Sequence, residues 1–228
     1  MYPQRDLFRD RRDAGRRLAE RLAAYADRRD VVVLALPRGG VPVALEVSRA
    51  LNAPLDVFVV RKLGVPGHAE YAMGAIASGG ARVLDASIVR SLGLSDASVA
   101  VVEAEERHEL ERREAIYRGG REAPCLLGRT VIVVDDGLAT GATMRVAVKA
   151  LRLQSPGHLV VAVPVGSTQA VQRLRQEVDE VVCESMPQAF SSVGQWYDDF
   201  SQTSDDEVIE LLQQGRGAMR HEAVVPAR

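Results

Sequence analysis

The chain has 228 residues, 46% of them hydrophobic, and a formal net charge of −2 from 29 basic and 31 acidic side chains. That length can bury a full core, the near-neutral charge excludes a nucleic-acid footprint spread over the whole molecule, and no apolar run is long enough to span a bilayer. Residues 1–30 are charged throughout and lack the apolar stretch of a signal peptide, so the expected setting is the cytoplasm; Cys125 and Cys183, without C-x-x-C spacing, point to neither a disulfide framework nor a zinc site.

The first predicted element is a helix. Arg5, Arg9, Arg11, Arg12, Arg16, Arg17, Arg21, Arg28 and Arg29 alternate with Asp6, Asp10, Asp13, Glu20 and Asp27, while Leu7, Ala14, Leu18, Leu22 and Tyr25 recur at roughly helical spacing. This reads as a helix packed on the body with a solvated charged face, in preference to an arm that binds polyanions. Lysine occurs only at Lys62 and Lys149. Apolar, β-branched runs then predict strands at 31–36, 56–60, 131–134, 159–163 and 180–183, with helices at 41–51, 142–153 and 168–177; Pro42 suits a first helical turn. Short apolar strands separated by helices imply an α/β fold whose parallel sheet is covered on both faces, and the flavodoxin-like order 2-1-3-4-5 is the expectation.

Two insertions decorate this core. Residues 61–85 are glycine-rich and broken by Pro66, with 73–77 and 82–84 short enough for a hairpin across Gly79-Gly80. Residues 95–118 read as a long helix capped by Ser95, with Glu103/Arg107 and Glu109/Arg113 pairs and a thin stripe of Val99, Val102 and Leu110. Such a stripe suits packing on one edge of the body or on a second subunit, so a homodimer is one possible arrangement. Ser204-Asp205-Asp206-Glu207 is a capping box opening a last helix, Gly215 is expected to end it, and 218–228 are expected to form a mobile tail beyond a single domain at 1–217.

Function is concentrated in residues 131–143, VIVVDDGLATGAT. Asp135 and Asp136 fall where a buried strand must stop, and a loop of small residues and hydroxyls runs from there into a helix. Free backbone N–H groups at a helix N-terminus suit a phosphate, and two adjacent carboxylates can accept hydrogen bonds from vicinal hydroxyls. A sugar phosphate needs both. The stretch resembles the binding signature of type I phosphoribosyltransferases, whose donor is 5-phosphoribosyl 1-pyrophosphate (PRPP). By that resemblance Asp135 and Asp136 would hold the ribose 2′- and 3′-hydroxyls, and Ala139, Thr140, Gly141, Ala142 and Thr143 would wrap the 5′-phosphate. No Gly-Lys-Ser/Thr of a P-loop is present, nor G-x-G-x-x-G.

Across the switch point lies the loop after strand 1, Pro37-Arg38-Gly39-Gly40-Val41-Pro42, where two glycines let backbone approach an anion and Arg38 supplies a forked cation. It resembles the pyrophosphate loop of the same family, in which a cis peptide is often found. The family implies a flap between strands 2 and 3, which residues 61–85 would supply. Arg61 and Lys62 would reach the pyrophosphate, and His68, Glu70 and Tyr71 would ride over the reaction centre; solvated strand-end charges and a lone loop histidine are the plainer alternatives. Magnesium fits the diphosphate chemistry, with Asp135 or Asp136 in its shell only indirectly, through PRPP or water.

The acceptor is less legible. Phosphoribosyltransferases for 6-oxopurines carry an acid where this chain has Ala139, which argues against hypoxanthine-guanine salvage. The family's acceptor pocket is usually a hood from terminal segments, here 184–214, in which Phe190, Trp196, Tyr197 and Phe200 concentrate. Trp196 and Tyr197 are expected either to stack an acceptor ring or to pack the hood on the core. Nearly the whole chain resembles a bacterial group of phosphoribosyltransferases with unassigned acceptor. The reading is therefore Mg²⁺-dependent phosphoribosyl transfer from PRPP to a small acceptor, nucleobase or amine, with no nucleic-acid or membrane partner. A PRPP- or nucleotide-sensing regulator on the same fold, and an interaction protein built around 95–118, are the alternatives.

Overall fold

The computed structural model describes residues 7–222. Its centre is a five-stranded parallel sheet of β1 (Val31–Ala35), β2 (Leu55–Val57), β6 (Thr130–Val134), β7 (His158–Val165) and β8 (Glu180–Ser185), in the order β2-β1-β6-β7-β8. The expected order 2-1-3-4-5 is the one found. Every residue of β1 and β6 is buried, which is why these segments read as unbroken runs and not as alternations. Successive side chains still part to opposite faces: Val31, Val33, Ile132 and Val134 join one core, and Val32, Leu34, Val131 and Val133 the other.

Helices α1 (Arg11–Arg21) and α2 (Gly40–Leu51) cover the first face together with α7 (Asp205–Glu222). Helices α5 (Ala142–Arg152) and α6 (Thr168–Leu174) cover the second. Asp10 caps α1 by accepting from the Asp13 N–H, and Ala14, Leu18, Leu22 and Tyr25 are buried as their spacing requires. Gly215 does not stop α7. A Cβ there would lie 3.1 Å from Leu55 and 3.2 Å from Leu45, so the glycine lets α7 press onto β2 and α2, and the helix continues to Glu222. The expected tail at 218–228 is thus helical to 222, and 223–228 lie outside the described residues.

Strand 2, expected over 56–60, ends at Val57, and the chain passes through buried Phe58 and Val59 into a second, antiparallel sheet. That sheet, β3-β4-β5, consists of β3 (Val60–Val65), β4 (His68–Ala77) and β5 (Ala81–Leu84). The hairpin across Gly79-Gly80 is present, with Ala77 opposite Ala81 and φ of 79° and 77° at the two glycines. The preceding stretch, read as loop, is instead a paired strand. Its apolar Leu63 and Val65 are buried with Met73 against Val99 and Leu110 of α4 (Asp96–Arg118), so the stripe on the inserted helix packs on the flap sheet of its own chain. Ser95 caps α4, and both expected i,i+4 pairs form, Glu103/Arg107 at 2.6 Å and Glu109/Arg113 at 2.7 Å. A short α3 (Ala86–Ser91) joins flap to α4. Among the described residues no helix is long and apolar enough to cross a membrane.

Candidate active site

Two loops meet at the carboxyl edge between β1 and β6. After β6 the chain delivers Asp135 and Asp136, then anchors itself through Leu138, which is buried and exchanges hydrogen bonds with the next crossover: its N–H donates to the Val165 carbonyl at 2.9 Å and its carbonyl accepts from Ser167 at 2.9 Å. This anchor leaves Ala139, Thr140, Ala142 and Thr143 exposed around a cavity of about 180 Å³ that Asp135 and Val193 also line. Gly141, at φ 74°, turns the chain into α5 without a side-chain cap, and the Thr140 hydroxyl accepts from the Ala142 N–H at 3.3 Å. An uncapped first turn presents N–H groups and positive dipole to this cavity, as an anion site requires.

The β1 loop lies directly against the acids. Its Pro37–Arg38 peptide is cis. A Cβ on Gly39 would overlap Asp136 Oδ2, and one on Gly40 would stand 2.7 Å from the Val134 carbonyl and 3.2 Å from Asp135 Oδ1. The glycines are therefore needed for one loop to touch the other, a tighter requirement than approach to an anion. Arg38 is partly exposed, and its Nη1 is 3.8 Å from Asp205 Oδ1 at the start of α7.

The acidic pair is crowded by protein. Loss of water and the neighbouring Asp136 charge push the Asp135 carboxyl well above the usual range. Desolvation also raises Asp136, against the opposing pull of Arg11. Arg11, from the first turn of α1, donates from Nε to Asp136 Oδ2 at 2.9 Å, and the Tyr197 hydroxyl donates to the Asp136 backbone carbonyl at 2.6 Å. Sequence reasoning placed Arg11 on a solvated helix face; its side chain is instead 11% exposed. Val193 was missed too: its methyls fill the space a Cβ on Gly137 would need. No local signal distinguishes either residue, since both are selected by contacts between distant parts of the chain.

The remaining expected residues divide. Arg61 is paired with the inserted helix: its Nε donates to Glu106 Oε2 on α4 at 2.6 Å. With Lys62 it lines a cavity of about 690 Å³ between the flap sheet, α4 and the first turn of α5, where Ala142 and Thr143 form the opposite wall. His68 and Tyr71 are exposed and do not line this cavity. Trp196 and Tyr197, offered as acceptor-stacking residues, are 8% and 6% exposed and form a small core with Phe8, Ala14 and Val165. Their rings are used in packing, because the segment pairs at Phe8/Tyr197 and must bury its aromatics against α1. Cys125 and Cys183 are free thiols, and among the described residues no group of three or more His, Cys, Asp and Glu could hold a metal ion by itself.

Comparison with known proteins agrees with this architecture. Residues 7–199 match the family model described as the phosphoribosyl transferase domain. Proteins from two strains of Mycobacterium tuberculosis, provisionally named phosphoribosyl transferases, are 51% identical over 206 residues, covering 90% of this chain and 46% of theirs. The chain thus spans about half the length of the curated relatives it matches. The crystal structure of TT1426 from Thermus thermophilus is 44% identical, covers 91% of this chain and 98% of its own, and superposes with a TM-score of 0.79. The doubly wound sheet, the acids at its switch point and the match over residues 7–199 have one common account: the chain belongs to the type I phosphoribosyltransferase family.

Proposed function

We propose that the donor is PRPP, bound with Mg²⁺, and that its 5-phosphoribosyl group passes to a small acceptor with release of pyrophosphate. The observation that carries this reading is the contact between the β1 and β6 loops, which sets a glycine turn against two carboxylates, the first of them sharing a cavity with an uncapped helix N-terminus. Asp135 and Asp136 accept the ribose 2′- and 3′-hydroxyls. Ala139 to Thr143 donate backbone N–H groups, and Thr140 and Thr143 hydroxyls, to the 5′-phosphate. Arg38, Gly39 and Gly40 face the pyrophosphate.

In the reaction an acceptor lone pair forms the new bond to the anomeric carbon while the carbon–oxygen bond breaks and its electrons leave on pyrophosphate. The site must hold the sugar through an oxocarbenium-like state and exclude water. Asp135 and Asp136, whose hard carboxylate oxygens suit a hydrated Mg²⁺ but are too few for an all-protein site, would hold the ion indirectly through PRPP or water, and it would supply positive charge to offset that of the leaving group. Arg61 comes to the leaving group when the Arg61–Glu106 pair opens, and Lys62 is the second cation of the flap beside it. Flap 61–85, inserted helix 95–118 and hood 184–214 are, in this reading, parts of one transferase domain. Calorimetry with PRPP should give a dissociation constant of about 1 µM to 1 mM in Mg²⁺, weakened by EDTA. No heat and no thermal shift at high PRPP would overturn the donor assignment.

A further inference from the structure

Asp136 stands in a closed ring of contacts that the donor chemistry alone does not call for. Arg11 donates Nε to Asp136 Oδ2 at 2.9 Å and Nη1 to the Ser201 carbonyl at 2.6 Å. Its guanidinium lies on the Phe200 ring, 3.9 Å from Cζ to the centroid. Phe200 packs on Tyr197 with centroids 5.0 Å apart, and the Tyr197 hydroxyl returns to Asp136 through its backbone carbonyl at 2.6 Å. Gly39 closes the remaining side, since a Cβ there would overlap Asp136 Oδ2 and come within 3.3 Å of Arg11 Nε.

We infer that Arg11 is a positioning residue for the donor sugar, fixing the rotamer of Asp136 and tying that carboxylate to the segment after β8. The inference rests on the donor reading given above. A planar guanidinium is suited to the task because one group makes two forked hydrogen bonds and a stack in fixed relative directions; an ammonium cannot do all three. With Oδ2 occupied by Arg11, Oδ1 accepts no hydrogen bond from another described residue's side chain and is the oxygen available to a ribose hydroxyl. One oxygen is held by protein and the other is presented to ligand. Other charges around the carboxylate come from Asp135 beside it and from Arg11 alone on α1, so no second cation on the first helix duplicates the contact. The hood then has a role that burial of Trp196 and Tyr197 does not by itself reveal: residues 197–201 hold the arginine that holds the acid.

A double-mutant cycle on PRPP affinity tests this. Arg11→Met in the unsubstituted background should weaken PRPP by about tenfold or more, the scale of one lost charge-assisted positioning contact. In an Asp136→Asn background the same substitution should change affinity by less than about twofold, because the group through which Arg11 acts is already altered. Arg11→Lys should recover part of the loss. Phe200→Leu, which removes the stack and keeps the ion pair, should weaken PRPP severalfold only where Asp136 is intact, and it provides the cycle if Arg11→Met fails to fold. Equal losses in both backgrounds, or no loss in either, would overturn the inference while leaving the donor reading in place. Absence of PRPP binding by the unsubstituted chain would instead remove the donor reading, and this inference with it.

Discussion

Asp135→Asn should make the folded protein more stable and a poorer binder of PRPP. Among the described residues the one hydrogen bond to this carboxyl comes from the Asp136 N–H, which donates to Oδ1 at 2.9 Å, and an amide oxygen can accept it equally well. What the substitution removes is a charge raised in pKa by loss of water and by Asp136. An acid whose folded pKa exceeds its unfolded value, about 3.9 for aspartate, costs stability as pH climbs between the two, and the full cost persists above the folded pKa. Removing it should recover about 1–3 kcal/mol at neutral pH, the scale of a buried polar group left incompletely compensated. For a chain of this size that is a rise of about 2–4 °C in Tm per kcal/mol. Urea unfolding followed by circular dichroism, at about pH 4 and about pH 8, reads the sign directly: the two proteins should nearly converge at the acid end and separate at the alkaline end. PRPP affinity should fall about tenfold or more, because a charged acceptor of a sugar hydroxyl becomes a neutral one. A variant less stable than the parent at about pH 8, or a gap that is the same at both pH values, would refute the view that this carboxylate is held against its own solvation.

Trp196→Ala should cost about 3–5 kcal/mol of stability as an interior aromatic, measured by thermal or urea unfolding, and a Tm equal to the parent's would return Trp196 to the list of acceptor contacts. Gly39→Ala should destabilise by about 1–3 kcal/mol and abolish measurable PRPP heat, since its methyl must displace Asp136 Oδ2; unchanged affinity would show that the two loops can separate freely. Glu106→Gln should alter global stability by no more than about 1 kcal/mol, the pair being part-exposed. It should nonetheless speed hydrogen exchange in 60–65, whereas PRPP with Mg²⁺ should slow exchange there in the parent; no effect of either would remove the flap from donor binding.

The core was readable because its information is local. A strand buried on both faces must be apolar at every position, so β1, β6 and β7 announce themselves, and Asp135-Asp136 marks the end of β6 as plainly as a glycine-rich turn marks the start of α5. The flap was misread for the opposite reason. Gly64, Gly67 and Gly74 suggest loop, yet a Cβ on Gly74 would run into the Val83 carbonyl, so one of them is a demand of close strand pairing. Gly215 misled in the same way, being a packing glycine within a helix and not a stop. Arg11 could not have been found at all: it is one of nine arginines in the first 29 residues, and what distinguishes it is a carboxylate 125 positions away. The hood aromatics show the remaining limit, for composition reveals that rings are concentrated there and says nothing about which way they face.

The bond from Arg11 to the Ser201 carbonyl spans 190 positions, and the one from Arg21 to Glu184 spans 163. Contacts of such high order close late, because the entropy of joining distant segments must be met before their interactions exist to offset it. On the ribosome, the acids, the glycine turn and the α5 N-terminus would all emerge before the segment that immobilises Arg11. A nascent chain would therefore carry the whole donor signature without a competent donor site, and PRPP added during refolding should leave the early phases unchanged and slow only global unfolding, by mass action on the completed fold.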